Sequence, residues 1–297
     1  MLQLLLGGSG SGKTTLLYQR IRARAEKGEK SILLVPEQFT SSTEGRIYRE
    51  LGDALSGMVE SFSFTSLAEK ILSTEGGAAV QTLSDAGRAV LVRRALEELQ
   101  DNVHYYHRHR RSAAFCQMAA QTIDELKSAG LSGQQLAQLA GACGAESGKL
   151  SELALIFQGY ETLLARSGMD PSDRLELAGA RLEEALARHS LPEFLRDRAV
   201  FIDEFDTFNA PKKRLLGAML AALPSVTVAL CDDGAPLLPG DLSLFSGAKQ
   251  VAAQLRQLAR KNGAEVAVPQ LLRKDLRHRN APGLAAVAEL LETGSCT

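Results

Sequence analysis

Near its amino terminus the chain reads Gly7-Gly8-Ser9-Gly10-Ser11-Gly12-Lys13-Thr14, directly after the apolar run 3–6. The stretch fits the pattern G-x-x-x-x-G-K-[S/T] at every fixed position. Its glycines allow backbone N–H groups to approach phosphate oxygens, because no Cβ atom stands in the way. A helix that begins near Lys13 would add its positive N-terminal end at the same place. The stretch therefore predicts a phosphate-binding loop between a strand and a helix.

The residues around this loop predict a parallel sheet. Apolar side chains recur at helical spacing over residues 13–26, and Gly28 stands where a helix stop is expected. The β-rich run Ser31–Val35 follows, and Pro36 ends it. Strand, loop, helix and strand in this order indicate a βαβ unit. We therefore predict an α/β fold in which a parallel sheet carries helices on both faces.

A helical insertion is predicted to interrupt the sheet domain. From about residue 84 to 189 the sequence contains amphipathic helical stretches and no convincing strand. Outside this region, helices are predicted at 44–55, 211–223 and 246–261, and strands at 58–61, 199–202, 226–230 and, more weakly, 264–268. We predict a sheet domain formed by residues 1–78 and 195–297 and an all-helical insertion formed by residues 79–194.

The composition is that of a globular protein. With 34 Lys and Arg against 35 Asp and Glu the formal net charge is −1, and 45% of the residues are hydrophobic. This balance argues against a disordered chain and a wholly basic nucleic-acid binder, although it permits a local basic groove. No run of about 18 apolar residues occurs and no basic leader is present, so we expect neither a membrane span nor a signal peptide. We expect a cytoplasmic protein with reduced thiols, because the cysteines are scattered without paired spacing: Cys116, Cys143, Cys231 and Cys296.

An apolar strand that ends in two carboxylates is the second chemical signal. Asp203 and Glu204 follow the apolar residues 200–202. A phosphate-loop site needs a carboxylate there to hold Mg²⁺ through water, which suits Asp203, and Glu204 could polarise an attacking water as general base. Lys13 would contact the β- and γ-phosphates of ATP, and the Thr14 hydroxyl would ligate the metal. The residues predicted to bind the nucleotide are Gly7, Gly8, Ser9, Gly10, Ser11, Gly12, Lys13, Thr14 and Thr15.

Four stretches of the chain resemble a known family. Residues 7–15, 33–40 and 61–68 are similar to helicase motifs I, Ia and Ib, and residues 169–175 followed by 202–209 are similar to the run into motif II. Their order and spacing resemble the amino-terminal motor domain of the UvrD/RecB-like superfamily 1 helicases, and most closely the AddB subunits of AddAB helicase–nucleases. The resemblance spans most of the chain.

This resemblance implies a RecA-like motor domain that binds ATP and engages DNA in double-strand-break repair by recombination. The implied partner is an AddA-like helicase/nuclease subunit in a heterodimer, with single- and double-stranded DNA as substrate and no membrane. In the family, motifs Ia and Ib line the path of the single strand, where aromatic rings can stack on bases and hydroxyls can reach phosphates. The DNA contacts implied for this chain are Gln38, Phe39, Thr40, Ser61, Phe62 and Phe64.

The chain departs from the family pattern in ways that bear on hydrolysis. No glutamine precedes the first strand to read adenine, and Ala235 stands about where a γ-phosphate-sensing glutamine belongs. The family's arginine fingers, nuclease and iron–sulfur cysteines are expected outside these 297 residues. We therefore expect ATP binding with weak or no hydrolysis by this chain alone, because loss of a group that stabilises transition-state charge can cost about 10³–10⁵ in rate.

Several alternatives remain open from the sequence. The chain could be a small-molecule P-loop kinase, although it shows no obvious lid signature, or a non-catalytic scaffold with a structural nucleotide site. Strand alternation leaves a core role open for Phe62 and Phe64. Residues 104–111, which hold three His, three Arg and two Tyr, could grip a nucleic-acid backbone, bind a metal or form a solvated loop. The basic stretch 273–279 is expected to be flexible.

Overall fold

A computed structural model of the chain describes residues 1–144, 147–274, 276–277 and 279–293. In this part of the chain six strands form one sheet, in the order β3-β2-β4-β5-β1-β6. Every pair of neighbouring strands runs parallel. The strands are β1 (Leu2–Gly7), β2 (Ser31–Leu34), β3 (Val59–Phe62), β4 (Ala199–Ile202), β5 (Ser225–Cys231) and β6 (Gln270–Leu272).

The rest of the regular structure in the described residues consists of α-helices and of the short 3₁₀ helices Glu37–Phe39 and His107–His109. Their starts follow local sequence: the Ser84, Ser112 and Ser132 side chains each accept a hydrogen bond from an N–H of the first turn that follows. The helices are α1 (Lys13–Ala25), α2 (Thr40–Leu51), α3 (Asp53–Ser56), α4 (Phe64–Glu75), α5 (Asp85–Glu98), α6 (Ala113–Ser128), α7 (Gly133–Ala140), α8 (Ser147–Ser167), α9 (Pro171–Ala187), α10 (Ala210–Ala222), α11 (Ser246–Lys261) and α12 (Pro282–Thr293).

Both faces of the sheet are buried at its central strands, which explains why these strands are mostly apolar. Leu5, Leu33 and Phe201 pack on one face against buried residues of α1 and α2 such as Leu17 and Ile47. Side chains alternate along a strand, so residues such as Leu4, Ile32 and Val200 point to the other face, and they are fully buried too. Helix α11 lies close to β1 and β5. The predicted α/β fold with a parallel sheet is confirmed.

Parallel pairing decides where the loops meet. In a parallel sheet all carboxyl ends lie at one edge, and ligands bind there in open α/β folds. The glycine-rich loop follows β1, and Asp203 follows β4, with only β5 between these two strands. The registers Leu6 to Leu230 and Ile202 to Val228 keep the strand ends nearly level. Two segments that are far apart in the sequence therefore arrive at the same edge.

The chain divides into two compact units. One contains residues 1–75, 182–208 and those from 215 onwards, and includes the whole sheet. The other contains residues 76–181 and 209–214. It has its own core, in which buried residues of α5, α6, α7 and α8 pack together, among them Val92, Ile123, Leu136, Phe157 and Tyr160. The predicted domain boundaries at 78/79 and 194/195 stay a prediction.

Two local predictions need correction. The predicted strand 264–268 is wrong, because Val266 forms only an isolated bridge with Leu2, and β6 begins at Gln270 instead. Pro269 lies between them and has no N–H to donate, which accounts for the interruption. Helix α4 has no counterpart in the sequence-based assignment. It starts where the Ser63 hydroxyl accepts the Ser66 N–H at 3.1 Å, directly after β3.

Cys116, Cys143 and Cys231 form no disulfide, and Cys296 lies outside the described part of the chain. Among the described helices, none combines the length and apolar character needed to cross a bilayer.

Replacement of Gly7 by Ala is expected to destabilise the sheet unit. A Cβ atom at this position would meet the Ser11 Oγ at 2.4 Å and the Leu272 carbonyl oxygen at 2.6 Å. We expect Gly7→Ala to lower the free energy of unfolding by about 1–3 kcal/mol, the usual cost of overpacking. Chemical denaturation measures this change.

Gly45 provides the matched control, because it lies inside α2 and its Cβ would meet nothing within 4 Å. Gly45→Ala should raise the free energy of unfolding by about 0.5–1 kcal/mol through helix propensity. Equal effects of the two substitutions would contradict the tight packing at Gly7.

Candidate nucleotide site

The loop after β1 is curled around the ammonium group of Lys13. The Lys13 Nζ donates hydrogen bonds to the carbonyl oxygens of Gly7 at 2.7 Å and of Gly8 at 2.8 Å. Gly10 and Gly12 have φ angles of 76° and 89°, a left-handed conformation that favours glycine. Helix α1 begins directly after Gly12, so its N-terminus faces the loop. This arrangement combines a cation, backbone N–H groups and the positive end of a helix.

Asp203 is held against this loop from the far side of β5. Its N–H donates to the Leu34 carbonyl at 3.1 Å, and the residue is only 6% exposed. The Thr14 hydroxyl, at the start of α1, faces the Asp203 carboxylate and favours its charged form. Burial raises the pKa of Asp203, while the Thr14 hydroxyl, the Glu204 N–H and the Lys13 charge act in the opposite direction. The hydroxyl and carboxylate are oxygen ligands that could hold Mg²⁺.

Glu204 adopts a strained backbone beside this carboxylate. Its φ angle is 63°, which is uncommon for a residue with a side chain, and its N–H donates to Asp203 Oδ1 at 3.1 Å. Desolvation and the neighbouring Asp203 charge raise the pKa of Glu204, and Arg46 and Lys13 oppose them. Backbone strain of this kind concentrates at functional sites. An exposed carboxylate with a raised pKa is suited to accept a proton from water.

These groups surround one cleft of about 600 Å³. One side chain of the loop shows whether the cleft fits a triphosphate with Mg²⁺. The buried Ser11 Oγ has no hydrogen-bond partner in the described part of the chain. The donor set is therefore compatible with a phosphate group. The sequence-predicted residues that line the cleft are Ser9, Gly10, Ser11, Gly12, Lys13, Thr14, Thr15, Gln38, Phe39, Asp203 and Glu204.

The remaining predicted residues lie elsewhere in the same unit. Gly7 and Gly8 line a neighbouring cleft on the other side of the loop, together with Asp232 and Ala235. Ala235 is thus outside the first cleft. Thr40, Ser61, Phe62 and Phe64 are not among the residues that line the first cleft.

The aromatic residues predicted to contact DNA differ in exposure. Phe39 is 39% exposed, and Phe62 is half-buried with its ring 6.5 Å from that of Phe194. Phe64 is buried, with its ring 5.2 Å from Phe205 and nearly perpendicular to it. Phe205 also stacks on Phe208 at 5.5 Å. This burial favours for Phe64 the core role that strand alternation leaves open.

Arg46 is a cleft residue that sequence reasoning missed. It projects from α2, and its guanidinium carbon lies 4.9 Å from the centre of the Tyr18 ring. Burial raises the pKa of Tyr18 to about 12, so the ring stays neutral as a platform for the cation. Phe39 and Arg46 are seven residues apart and so share one side of the helix, which is a signal that could have indicated Arg46.

Residues after β6 also reach the cleft. The Leu276 N–H donates to the Gly10 carbonyl at 3.0 Å, and the Leu276 side chain covers Gly12. Arg277 donates to the Ser9 hydroxyl at 3.2 Å. The stretch 273–279, expected to be flexible, therefore contacts the phosphate loop at two residues, while Asp275 and His278 lie outside the described part of the chain. No local signal in the sequence indicates this contact, because it depends on the pairing of β6 with β1.

The amino-acid sequence of the chain is similar to those of known proteins. Residues 4–288 match the family described as ADDB, N-terminal. The chain belongs to this family. It is 34% identical over 296 residues to an ATP-dependent helicase/deoxyribonuclease subunit from Desulforudis audaxviator, covering 96% of this chain and 25% of that protein. It is 33% identical to the protein of the same name from Moorella thermoacetica, with 96% and 25% covered.

A third relative with the same name, from Clostridium perfringens, is 29% identical over 94% of this chain and 24% of its own length. The chain thus spans about a quarter of the length of the curated relatives it matches. The resemblance to AddB subunits that four short stretches indicated is confirmed.

The strain at Glu204 of this ADDB-family chain can be measured. We expect Glu204→Gly to have a free energy of unfolding higher than that of Glu204→Ala by about 1 kcal/mol, because only glycine adopts the left-handed conformation without cost. Both variants lose the same charge beside Asp203, so the comparison isolates the backbone term. Denaturant unfolding of the two proteins provides the measurement, and equal values would show that the conformation carries no strain.

Proposed function

We propose that this chain is the ATP-binding, DNA-engaging amino-terminal region of an AddB-type subunit of an ATP-dependent helicase/deoxyribonuclease. The parent protein would act with an AddA-like helicase/nuclease subunit in double-strand-break repair by recombination, in the cytoplasm. The observation that carries the proposal is the meeting of Lys13, Thr14, Asp203 and Glu204 at one cleft. Membership of the ADDB N-terminal family supports the same reading over a small-molecule kinase.

Each group at the cleft has a defined task in this proposal. Lys13 and the loop N–H groups bind the phosphates, and Arg46 and Arg277 add positive charge around the same space. Thr14 and Asp203 would hold Mg²⁺, which supplies neutralisation of phosphate charge when bound. Glu204 orients a water and accepts its proton.

Low turnover by the chain alone is part of the proposal. Ala235, which stands where the family places a γ-phosphate-sensing glutamine, carries no polar group and lines the neighbouring cleft. A site that binds the nucleotide but lacks this contact would hold ATP with little hydrolysis. The non-catalytic alternative differs only in predicting no turnover under any condition, including with DNA and the partner subunit.

The Lys13→Ala substitution tests nucleotide binding. Loss of charge-assisted hydrogen bonds to phosphate should weaken ATP·Mg²⁺ binding by about 10- to 100-fold, measured by calorimetry. Lys27→Ala, an exposed position just after α1, is the control and should bind as the wild type does. Equal affinity of wild type and Lys13→Ala would end the proposal.

The same titrations, followed by a turnover assay with and without a single-stranded oligonucleotide and the partner subunit, separate the two readings of the site. A melting shift with ATP but no turnover under any of these conditions favours the scaffold, because a bound ligand stabilises by mass action.

DNA contact is proposed at exposed and half-buried residues around the same edge of the sheet. Gln38, Phe39 and Thr40 lie just after β2, and Ser61 and Phe62 lie at the end of β3. Buried Phe64 would act by supporting this surface through its ring contacts rather than by touching a base.

Phe39→Ala should weaken binding of a single-stranded oligonucleotide at least about fivefold in the absence of nucleotide, the usual loss for one stacked base. Phe39→Tyr should retain the affinity, since it keeps the ring. Tyr48→Ala removes another exposed ring, near the other end of α2, and should have no effect. Fluorescence anisotropy gives the affinities, and a loss in Tyr48→Ala as large as in Phe39→Ala would refute the assignment.

A further inference from the structure

A basic, aromatic loop, residues 104–111, follows α5 in the helical unit. Its backbone is fixed by hydrogen bonds to a buried carboxylate. The N–H groups of His104, Tyr105 and Tyr106 all donate to the carboxylate of Glu152, at 2.7–3.2 Å, and Glu152 is 6% exposed. Three successive N–H groups around one anion form a nest that an internal carboxylate already fills. The loop therefore has a fixed shape in the absence of any ligand.

Further contacts fix the second half of the loop. The Tyr106 ring stacks on Phe115 at 5.4 Å, and the His109 ring lies 5.6 Å from the same residue. Arg110 hydrogen-bonds the His107 carbonyl at 3.1 Å, and Ser112 then caps α6. These interactions anchor part of the loop on the helical core and leave other side chains in solvent. The exposed members are His104, Tyr105, Arg108, His109 and Arg111.

The charges of this loop differ from those on the preceding helix. On α5, Arg88 pairs with Asp85, Arg93 with Glu97 and Arg94 with Glu98. In contrast, Arg108 and Arg111 have no ion-pair partner among the residues that the structure describes. Exposed guanidinium groups that lack a paired carboxylate attract an anion more strongly than ion-paired ones do, and Arg108 and Arg111 are only three residues apart.

The same loop also carries an exposed aromatic ring, that of Tyr105. Tyr105 is 58% exposed, although its N–H is held by Glu152. A fixed and exposed ring can stack on an unpaired base, and stacking is tolerant of sequence because every base has a π-face. Among the described residues, no group of three or more His, Cys, Asp or Glu side chains is placed to hold a metal ion.

We propose that residues 104–111 form a second nucleic-acid contact, on the helical unit, in which Arg108 and Arg111 bind the phosphodiester backbone of a single strand and Tyr105 stacks on an unpaired base. This contact goes beyond the proposed function, which places DNA only at the carboxyl edge of the sheet. Preorganisation by Glu152 reduces the entropy lost on binding. The expected affinity depends strongly on salt, because each bound phosphate releases counterions.

The test uses the 297-residue chain and a fluorescent single-stranded oligonucleotide without nucleotide, over a range of salt concentrations. The double variant Arg108→Gln/Arg111→Gln should lower the affinity about tenfold at low salt. It should also reduce the slope of log affinity against log salt by about 1.4, the value for two phosphate contacts on a single strand.

The matched control is Arg93→Gln/Arg94→Gln, which removes the same charge from exposed but ion-paired arginines of the same unit. It should leave affinity and slope unchanged. An unchanged affinity in the loop variant, or an equal loss in both double variants, would overturn the proposal. So would competition by poly-glutamate as effective as that of unlabelled oligonucleotide, since the loop would then be a general acceptor of acidic peptides.

A second pair of variants tests the stacking. Tyr105→Ala should weaken binding of the single strand about fivefold and leave binding of a blunt duplex unchanged, and Tyr105→Phe should restore it. Equal loss in both variants would contradict a role for the ring. Because Lys13 and Phe39 are untouched, ATP binding and the contact at the sheet edge should be those of the wild type in all four proteins, so failure of this proposal is separable from failure of the proposed function.

Discussion

The site depends on the strand pairing that positions Asp203, and the hydrogen bond from the Asp203 N–H to the Leu34 carbonyl is part of this pairing. It belongs to the parallel pairing of β4 with β2, and this pairing sets the carboxylate at the height of the phosphate loop. The loop is set from the other direction, because β1 pairs with β5 in register and β5 pairs with β4. Because β1, β2, β4 and β5 are buried along most of their length, a one-residue slip in any of these registers would move every side chain to the opposite face and disrupt the packed core. The hydrophobic core therefore fixes the distance between the Asp203 carboxylate and the phosphate loop.

Burial gives this site its chemical character and also its cost. Asp203 is nearly inaccessible, and desolvation raises its pKa, so the charged form is tolerated through the Thr14 hydroxyl, the Glu204 N–H and the Lys13 ammonium. A divalent cation would relieve the same penalty. Glu204 carries a second cost in its left-handed backbone. A desolvated charge and a strained backbone that the surrounding structure holds in place are characteristic of sites selected for chemistry rather than for stability.

Much of the fold was accessible from sequence, because the deciding signals are local. The loop 7–14 needs its glycines for backbone conformation, and the structure has left-handed φ angles at Gly10 and Gly12. The strand before Asp203 is apolar over its full length because both faces are covered. The place of β6 could not be derived in this way: Pro269 interrupts the ladder, and which strand pairs with β1 is a long-range property. For the same reason the sequence indicated neither Arg277 at the cleft nor the contact of Phe64 with Phe205 and Phe208, whose partners are about 140 residues apart.

The bond between the Leu276 N–H and the Gly10 carbonyl ties the turn after β6 to the glycine loop. A loop that bends to wrap an anion must reorient its peptide groups, and the one at Gly10 cannot rotate without pulling on its partner. Residue 276 is thus coupled to the loop through this bond, and by thermodynamic reciprocity a change in how the loop binds an anion and a displacement of residue 276 affect each other.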